Sequence, residues 1–282
     1  MSGFGVVFAG GGCRAFWALG VYERLRYELP DVDEWAGVSA GSAMALAAAL
    51  NRSGEVTSEF CARADANASN FHWTRLLKGQ RPFPQEEIYR DTITSVLTSA
   101  ALDELADTSP VRILRAEVEA PYPSWRAYQA LRAYKQRRKA GVIHGPEQLP
   151  KGIHAEISTA QELGSCEAIS DAILASSASP PITRTQRGRR GVAYDGCLVD
   201  NVPVRALQRL DTSAGSQDRI LVLLNRPMER LPSATSIFYF APAARVPIRK
   251  WDYTSPERVR RTIGQGRAEA EEQLREILDW LT

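Results

Sequence analysis

The 282-residue sequence has few residues suited to metal binding or covalent cross-linking. It contains three histidines and four cysteines, and the cysteines form no C-x-x-C pair and no spacing typical of a metal site. Isolated cysteines in a chain of this length indicate free, buried thiols in a reducing compartment. We therefore expect a cytoplasmic protein without disulfide bonds.

Long uncharged apolar runs and a strong net charge are also missing. No stretch reaches the ~18 apolar residues that a membrane-spanning helix requires, which excludes a transmembrane span. The apolar segment 4–22 lacks a basic start and contains Arg14, so it does not fit a signal peptide. A net charge of +2 gives no indication of a nucleic-acid partner.

The hydrophobic pattern predicts strands that alternate with helices. Hydrophobic residues make up 44% of the chain, which is ordinary for a globular protein. Predicted strands cover 4–9, 35–38, 111–118, 154–159 and 220–224, and predicted helices cover 13–29, 40–50, 54–65, 84–106, 124–140, 165–177 and 257–282. This alternation predicts an α/β fold with a mainly parallel central sheet and helices on both faces. No repeat or linker divides the chain, so we expect a single domain over residues 1–282.

Two further expectations concern the surface and the C-terminal helix. The arginine-rich stretch 183–191 is predicted to be a mobile surface loop. The last helix is predicted to bury one apolar stripe: Val259, Ile263, Leu274, Ile277, Leu278 and Leu281.

A G-x-S-x-G motif follows the second predicted strand. Its residues are Gly37-Val38-Ser39-Ala40-Gly41, and an alanine-rich helix begins directly after it. Gly37 and Gly41 relieve crowding where a strand turns sharply into a helix, and such a turn exposes the serine hydroxyl. The pattern makes Ser39 a candidate nucleophile.

A glycine-rich loop follows the first predicted strand. It reads Gly10-Gly11-Gly12-Cys13-Arg14. Backbone N–H groups in such a loop can stabilise the oxyanion that forms during acyl transfer. Together with the serine motif about 25 residues later, the loop indicates serine-based acyl hydrolysis.

A serine hydroxyl needs a base, and the histidines are poorly placed to supply it. In α/β-hydrolases the catalytic histidine follows the serine and the acid in the chain. Here the histidines are His72, His144 and His154, and none lies beyond residue 154. A carboxylate is the remaining candidate base. Asp195-Gly196 predicts a turn at which such a carboxylate could lie.

These motifs together resemble those of the patatin-like phospholipases. The glycine loop at 10–14 is similar to the family's G-G-G-x-R motif, and residues 37–41 match its serine turn. The small-residue run 175–181 and the Asp195-Gly196 loop, followed by Asn201 and Pro203, match the family's later motifs. Cys197 departs from the small Gly or Ala usual after Asp-Gly, and Ala15 replaces the commoner glycine after the arginine.

The resemblance implies a Ser-Asp dyad in a three-layer α/β/α fold. Ser39 would attack an ester carbonyl and Asp195 would accept its proton. The N–H groups of Gly11 and Gly12 would bind the oxyanion, and Arg14 would hold the loop or assist electrostatically. The implied substrates are phospholipids or other glycerolipids, and no metal or cofactor is required.

Two alternatives remain open at this stage. Gly10-x-Gly12-x-x-Ala15 after a strand also fits a dinucleotide-binding fingerprint, which expects an acidic residue about 20 positions on. Asp31 and Asp33 precede the second strand, whereas the ribose-binding acid should end it. A catalytically inactive lipid-binding protein on the same scaffold is the second alternative.

The segment 124–150 is a candidate lid or interfacial insert. Trp125, Tyr128, Leu131 and Tyr134 recur every third residue and lead into the basic stretch 135–139. Such a helix can make peripheral contact with an anionic membrane. The favoured interpretation is that its aromatic residues pack inward and its basic end is solvated.

Overall fold

The computed structural model describes residues 3–213 and 216–282. Within these residues the strands form one eight-stranded sheet in the order β5-β6-β3-β2-β1-β7-β8, and β4 pairs with β3. The strands are β1 (Phe4–Phe8), β2 (Glu34–Val38), β3 (Val111–Val118), β4 (Ile153–Thr159), β5 (Gln186–Arg187), β6 (Val192–Tyr194), β7 (Arg219–Leu223) and β8 (Ile237–Phe240). The pairs β3–β2, β2–β1, β1–β7 and β7–β8 are parallel, and the pairs made by β4, β5 and β6 are antiparallel.

Helices flank this sheet. They are α1 (Ala15–Leu25), α2 (Ala40–Ala49), α3 (Ser53–Ala66), α4 (Trp73–Leu76), α5 (Gln85–Val96), α6 (Ser99–Ala106), α7 (Pro123–Lys139), α8 (Ala160–Leu163), α9 (Cys166–Ser176), α10 (Pro256–Glu272) and α11 (Leu274–Leu281). Short 3₁₀ turns cover Gly12–Arg14, Gly196–Leu198 and Val204–Ala206. The predicted α/β fold with a mostly parallel sheet is confirmed.

Different elements pack against the two faces of the sheet. Side chains alternate along each strand, so that Val6 and Phe8 of β1 join the helical core while Val7 points to the other face. The larger core contains residues of α1, α2, α3, α5, α9 and α10. The opposite face is covered by α7 and by the segment 196–207, which contains two of the 3₁₀ turns.

The pairing of β3 brings two chain segments to the same point. β4 covers one edge of β3 from Arg112 to Val118, so β2 and β6 must share the other edge. β2 runs parallel to β3 as far as Leu114, and β6 runs antiparallel to it and ends opposite Ala116. The carboxyl ends of β2 and β6 therefore face each other across a gap of one residue. Ser39 follows β2 and Asp195 follows β6, so this gap is where the two residues meet.

Some local predictions differ from the structure. The region 84–106 is two helices, because the Thr98 side chain accepts a hydrogen bond from Ala101 N–H and caps α6. The C-terminal helix divides at Gln273, and Leu278 on the second part is 37% exposed. The stretch 183–191, predicted to be a mobile surface loop, is anchored to the sheet. It contains β5, and two of its N–H groups donate to the buried carboxylate of Glu117.

The segment 124–150 contains helix α7 followed by irregular chain. The favoured expectation that its aromatic residues pack inward is wrong for Trp125 and Tyr128, which are 59% and 55% exposed. Leu131 and Tyr134 do pack against the core under α7. Within the described residues, no helix combines the length and hydropathy that a bilayer-spanning segment needs.

Candidate active site

Ser39 lies on a strained turn between β2 and α2. Its φ of 55° and ψ of −133° place a non-glycine residue in a sparsely populated conformation. The turn is tight enough that a Cβ on Gly37 would lie 2.5 Å from the carbonyl oxygen of Gly41. A Cβ on Gly41 would lie 2.3 Å from the Phe8 carbonyl oxygen. Both motif glycines are therefore required by the close approach of backbone to backbone.

Ser176 holds this turn from the end of α9. Its hydroxyl accepts a hydrogen bond from Ser39 N–H at 2.7 Å and donates to the Leu114 carbonyl at 2.6 Å. All three groups are buried. The nucleophile turn is thus connected through one side chain to β3.

Asp195 faces Ser39 across the gap described above. Ser39 Oγ donates to Asp195 Oδ2 over 3.2 Å, and the two residues are 4% and 3% exposed. Ser179 Oγ also donates to Oδ2 at 3.2 Å, and Cys197 N–H donates to Oδ1 at 3.0 Å. Gly196, with its Cα against the Leu114 carbonyl, begins the 3₁₀ turn that carries Cys197. These contacts direct one carboxylate oxygen at the serine hydroxyl.

The histidines bond to other groups. His72 pairs with Asn67 at 2.9 Å, and His144 pairs with Tyr239 at 2.7 Å. His154 contacts the Glu119 carboxylate at 2.8 Å. Across the described part of the chain, no imidazole bonds to Ser39 or Asp195, and the titratable group that accepts a hydrogen bond from the Ser39 hydroxyl is the Asp195 carboxylate.

The glycine loop leaves two N–H groups free. Gly10 N–H donates to a backbone carbonyl at 3.1 Å, and Cys13 N–H donates to Lys250 O at 3.0 Å. In residues 3–213 and 216–282, no acceptor lies on the N–H groups of Gly11 and Gly12. Gly12 has φ of +58°, and a Cβ there would lie 2.2 Å from the Lys250 carbonyl oxygen. Gly12 thus has a backbone conformation that favours glycine. Within the described residues, the N–H groups of Gly11 and Gly12 are two unpaired hydrogen-bond donors.

Side chains fix this loop from two directions. Arg14 Nε donates to the Gly11 carbonyl at 3.1 Å, and Asn201 Nδ2 donates to the Gly10 carbonyl at 3.1 Å. The loop-holding role expected for Arg14 thus has a geometric basis. Ala40, the first residue of α2, adds a further helix-start N–H directly after the nucleophile.

Two cavities adjoin the segments that carry Ser39 and Asp195. An apolar cavity is bounded by Gly12, Ala40 and side chains of α1, α2, α3 and α5, among them Phe16, Met44 and Ile93. A wider, open cleft is bounded by Gly11, Asp195 and the inner side of α7. One cavity is thus lined by apolar side chains, and the other is lined by both apolar and basic side chains.

The neighbouring thiols are not competing nucleophiles. Burial raises the pKa of the Cys13 and Cys197 thiols far above its ordinary value, and the charge of Asp195 adds to the shift at Cys197. Both thiols therefore stay protonated at neutral pH. Within the described residues, no group of three or more His, Cys, Asp or Glu is arranged to hold a metal ion.

Sequence reasoning missed the positioning roles of Ser176 and Ser179. Both lie in the small-residue run 175–181, but a serine in such a run carries no signature of its partner. Ser176 bonds to a residue 137 positions away in the chain. That contact depends on the docking of α9 against β3 and α2, which only the assembled fold shows.

Known proteins resemble this chain in structure and in sequence. The solved structure of VipD from Legionella pneumophila aligns with a TM-score of 0.45 and 11% identity, over 98% of this chain and 67% of that chain. No match is found among curated proteins. A sequence model described as patatin-like phospholipase matches residues 6–207, which contain the glycine loop, Ser39 and Asp195. Because this match covers most of the chain, the protein belongs to the patatin-like phospholipase family, a family of lipid hydrolases of the esterase type.

Proposed function

We propose that the protein is a phospholipase A-type lipid acyl hydrolase that cleaves glycerolipid carboxylic esters through an acyl-serine intermediate. The observation that carries the proposal is the buried hydrogen bond from Ser39 Oγ to Asp195 Oδ2, on a strained turn. Family membership favours this hydrolase over the dinucleotide-binding alternative.

In the first half-reaction Ser39 Oγ attacks the ester carbonyl carbon while Asp195 Oδ2 accepts the hydroxyl proton. The carbonyl oxygen becomes an oxyanion, and the free N–H groups of Gly11 and Gly12 are the donors that support it. Collapse of this intermediate breaks the bond to the alcohol. The alcohol oxygen takes the proton from Asp195, which leaves an acyl ester on Ser39.

In the second half-reaction water replaces the alcohol. Asp195 accepts a proton from the attacking water, and the oxyanion forms again at the same N–H groups. Collapse returns the proton to Ser39 Oγ and releases a fatty acid. Proton and charge balance over the cycle without a third titratable group.

The apolar cavity supports a lipid acyl chain as the group transferred. Its lining includes Gly12 of the glycine loop and Ala40, the residue after Ser39, together with apolar side chains such as Phe16, Met44 and Ile93. Burial of each methylene group of a fatty chain contributes about 0.8 kcal/mol. A long-chain ester therefore gains binding free energy that a short-chain ester lacks.

Peripheral membrane contact is part of the proposal. Trp125 and Tyr128 stack at 5.8 Å between ring centroids at the exposed start of α7, and Tyr122 precedes them with 76% exposure. Exposed aromatic side chains of this kind favour the lipid–water interface. Liposome flotation of Trp125→Ala/Tyr128→Ala should show weaker binding than the wild type, and equal binding would rule out this contact.

Fatty-acid release from phosphatidylcholine liposomes tests the proposed chemistry. Ser39→Ala should abolish release, and Asp195→Asn should lower the rate by about 10²–10⁴-fold, the range for loss of a general base. Ser99→Ala and Asp103→Asn are matched controls at exposed positions and should keep the wild-type rate. Undiminished hydrolysis by Ser39→Ala would overturn the mechanism. Lipid binding without hydrolysis by the wild type would favour the inactive-scaffold alternative.

A further inference from the structure

Three arginines from remote parts of the chain converge beside the glycine loop. Arg14 precedes α1, Arg138 lies in the last turn of α7, and Arg226 follows β7. All three are partly buried, and together they line one small pocket. The pocket lies where Asn201 and Asn225 approach the loop.

This cluster has no balancing negative charge. Within residues 3–213 and 216–282, none of the three guanidinium groups forms an ion pair with a carboxylate. Among the described residues, the one hydrogen bond that these guanidinium groups form is from Arg14 Nε to the Gly11 carbonyl. The buried Arg112, by contrast, is paired with Glu34 at 2.7 Å.

The positive charges of the cluster shift the pKa values of neighbouring groups. Burial lowers the pKa of Arg14, and the charges of Arg138 and Arg226 lower it further. Burial raises the pKa of Tyr134 to about 12, and Arg138 and Arg226 oppose that rise. Like charges held together in a half-buried pocket are unfavourable unless an anion joins them.

The pocket shares lining residues with the cleft that contains Asp195. Arg14, Tyr134, Arg138 and Asn201 line both of them, and Asp195 lines the cleft. Lys250, also half-buried, adds a fourth cation on the cleft side. A phosphate held by Arg14 and Arg138 would therefore lie at the border of the cleft that Asp195 lines.

We infer that the pocket between Arg14, Arg138 and Arg226 is a binding subsite for a phosphate group. The planar forks of arginine match the oxygens of a phosphate and bind them in pairs. Where the phosphate belongs to a lipid headgroup, the subsite orients that lipid with its ester at the nucleophile. This headgroup role rests on the proposed hydrolase function, whereas phosphate binding itself does not.

The first test measures binding without catalysis. Inorganic phosphate and glycerol 3-phosphate are titrated into Ser39→Ala protein, and the dissociation constant is measured by calorimetry. Adding Arg138→Gln and Arg226→Gln should raise the dissociation constant by about tenfold or more for each arginine, because hydrogen bonds to a charged group are lost. The matched control, Arg132→Gln with Arg230→Gln, removes two exposed charges from the same regions and should leave the constant unchanged.

Conservative variants guard against misfolding. Arg138→Lys with Arg226→Lys keeps both charges and should bind phosphate more tightly than the glutamine pair. The thermal unfolding midpoint without phosphate reports whether each variant is folded. Equal phosphate affinity in all folded variants, or no binding in the parent protein, would overturn the subsite.

The second test measures substrate preference. The ratio of kcat/KM for a phospholipid to that for p-nitrophenyl butyrate should fall about 100-fold in the glutamine pair, one factor of ten for each arginine. It should not change in the Arg132/Arg230 control. Binding of inorganic phosphate with an unchanged ratio would assign the pocket to free phosphate and overturn the headgroup role. Absence of ester hydrolysis by the wild type would contradict the proposed function, and the binding test would still decide the subsite.

Discussion

Replacement of Ser176 by alanine tests whether the nucleophile turn is held from outside its own motif. The wild-type hydroxyl is the acceptor for the buried Ser39 N–H at 2.7 Å. Alanine removes that acceptor and leaves the N–H group without a partner in a region closed to water. The backbone at Ser39 is already strained, with φ of 55°. Without the hydrogen bond to Ser176, we expect it to relax away from the observed geometry.

The expected magnitude follows from the unsatisfied donor. A buried N–H that loses its partner costs about 1–3 kcal/mol in the free energy of unfolding. For a chain of this size that corresponds to a fall of roughly 2–10 °C in Tm. Because misplacement of a reacting group by ~1 Å can cost ~10²-fold, we expect kcat to fall at least tenfold with a smaller change in KM.

Ser170→Ala is the matched control on the same helix. Ser170 is also fully buried, but its hydroxyl donates to the Cys166 carbonyl within α9. Its loss leaves no N–H group unpaired. Differential scanning calorimetry and ester hydrolysis kinetics are measured on both variants. Equal changes in Tm and in kcat for Ser176→Ala and Ser170→Ala would refute the positioning role.

Three further predictions follow from the site. The pH–rate profile on a neutral ester should lack a limb near ~6.5, the ordinary histidine value, and His154→Ala should not change it; a limb that this variant removes would contradict the dyad. Gly12→Ala should cost more than ~2 kcal/mol in unfolding free energy through positive-φ strain and contact with backbone, whereas Gly54→Ala, with open space around it, should be neutral or stabilising. Because burial raises the pKa of the Cys13 thiol, Cys13 stays protonated at pH 8; native alkylation followed by mass mapping should label the half-exposed Cys166 first, and rapid labelling of Cys13 would contradict its burial.

The parts of the fold that depend on local pattern could be predicted from the sequence. The strand at 111–118 matches β3, and the helix predicted at 40–50 differs from α2 by one residue. Both motif turns lie between a strand and a helix, as their glycines indicate. Periodicity and turn chemistry are properties of neighbouring residues, which a sequence displays directly.

The parts that depend on distant contacts could not be predicted. β5 and β6 have two and three residues, too few for a periodic signal, yet β6 brings Asp195 to Ser39. The exposure of Trp125 depends on how α7 is rotated against the core, and amphipathic spacing alone does not fix that rotation. The convergence of Arg138 and Arg226 on one pocket likewise joins distant parts of the chain, the last turn of α7 and the segment after β7.

The most direct test of the proposed dyad is intact-mass analysis after treatment with a fluorophosphonate. The wild type should gain a single adduct, Ser39→Ala should gain none, and Asp195→Ala should react more slowly while remaining folded. An adduct that persists in Ser39→Ala, or equal rates for Asp195→Ala and the wild type, would contradict the assignment of Ser39 as nucleophile and Asp195 as its base.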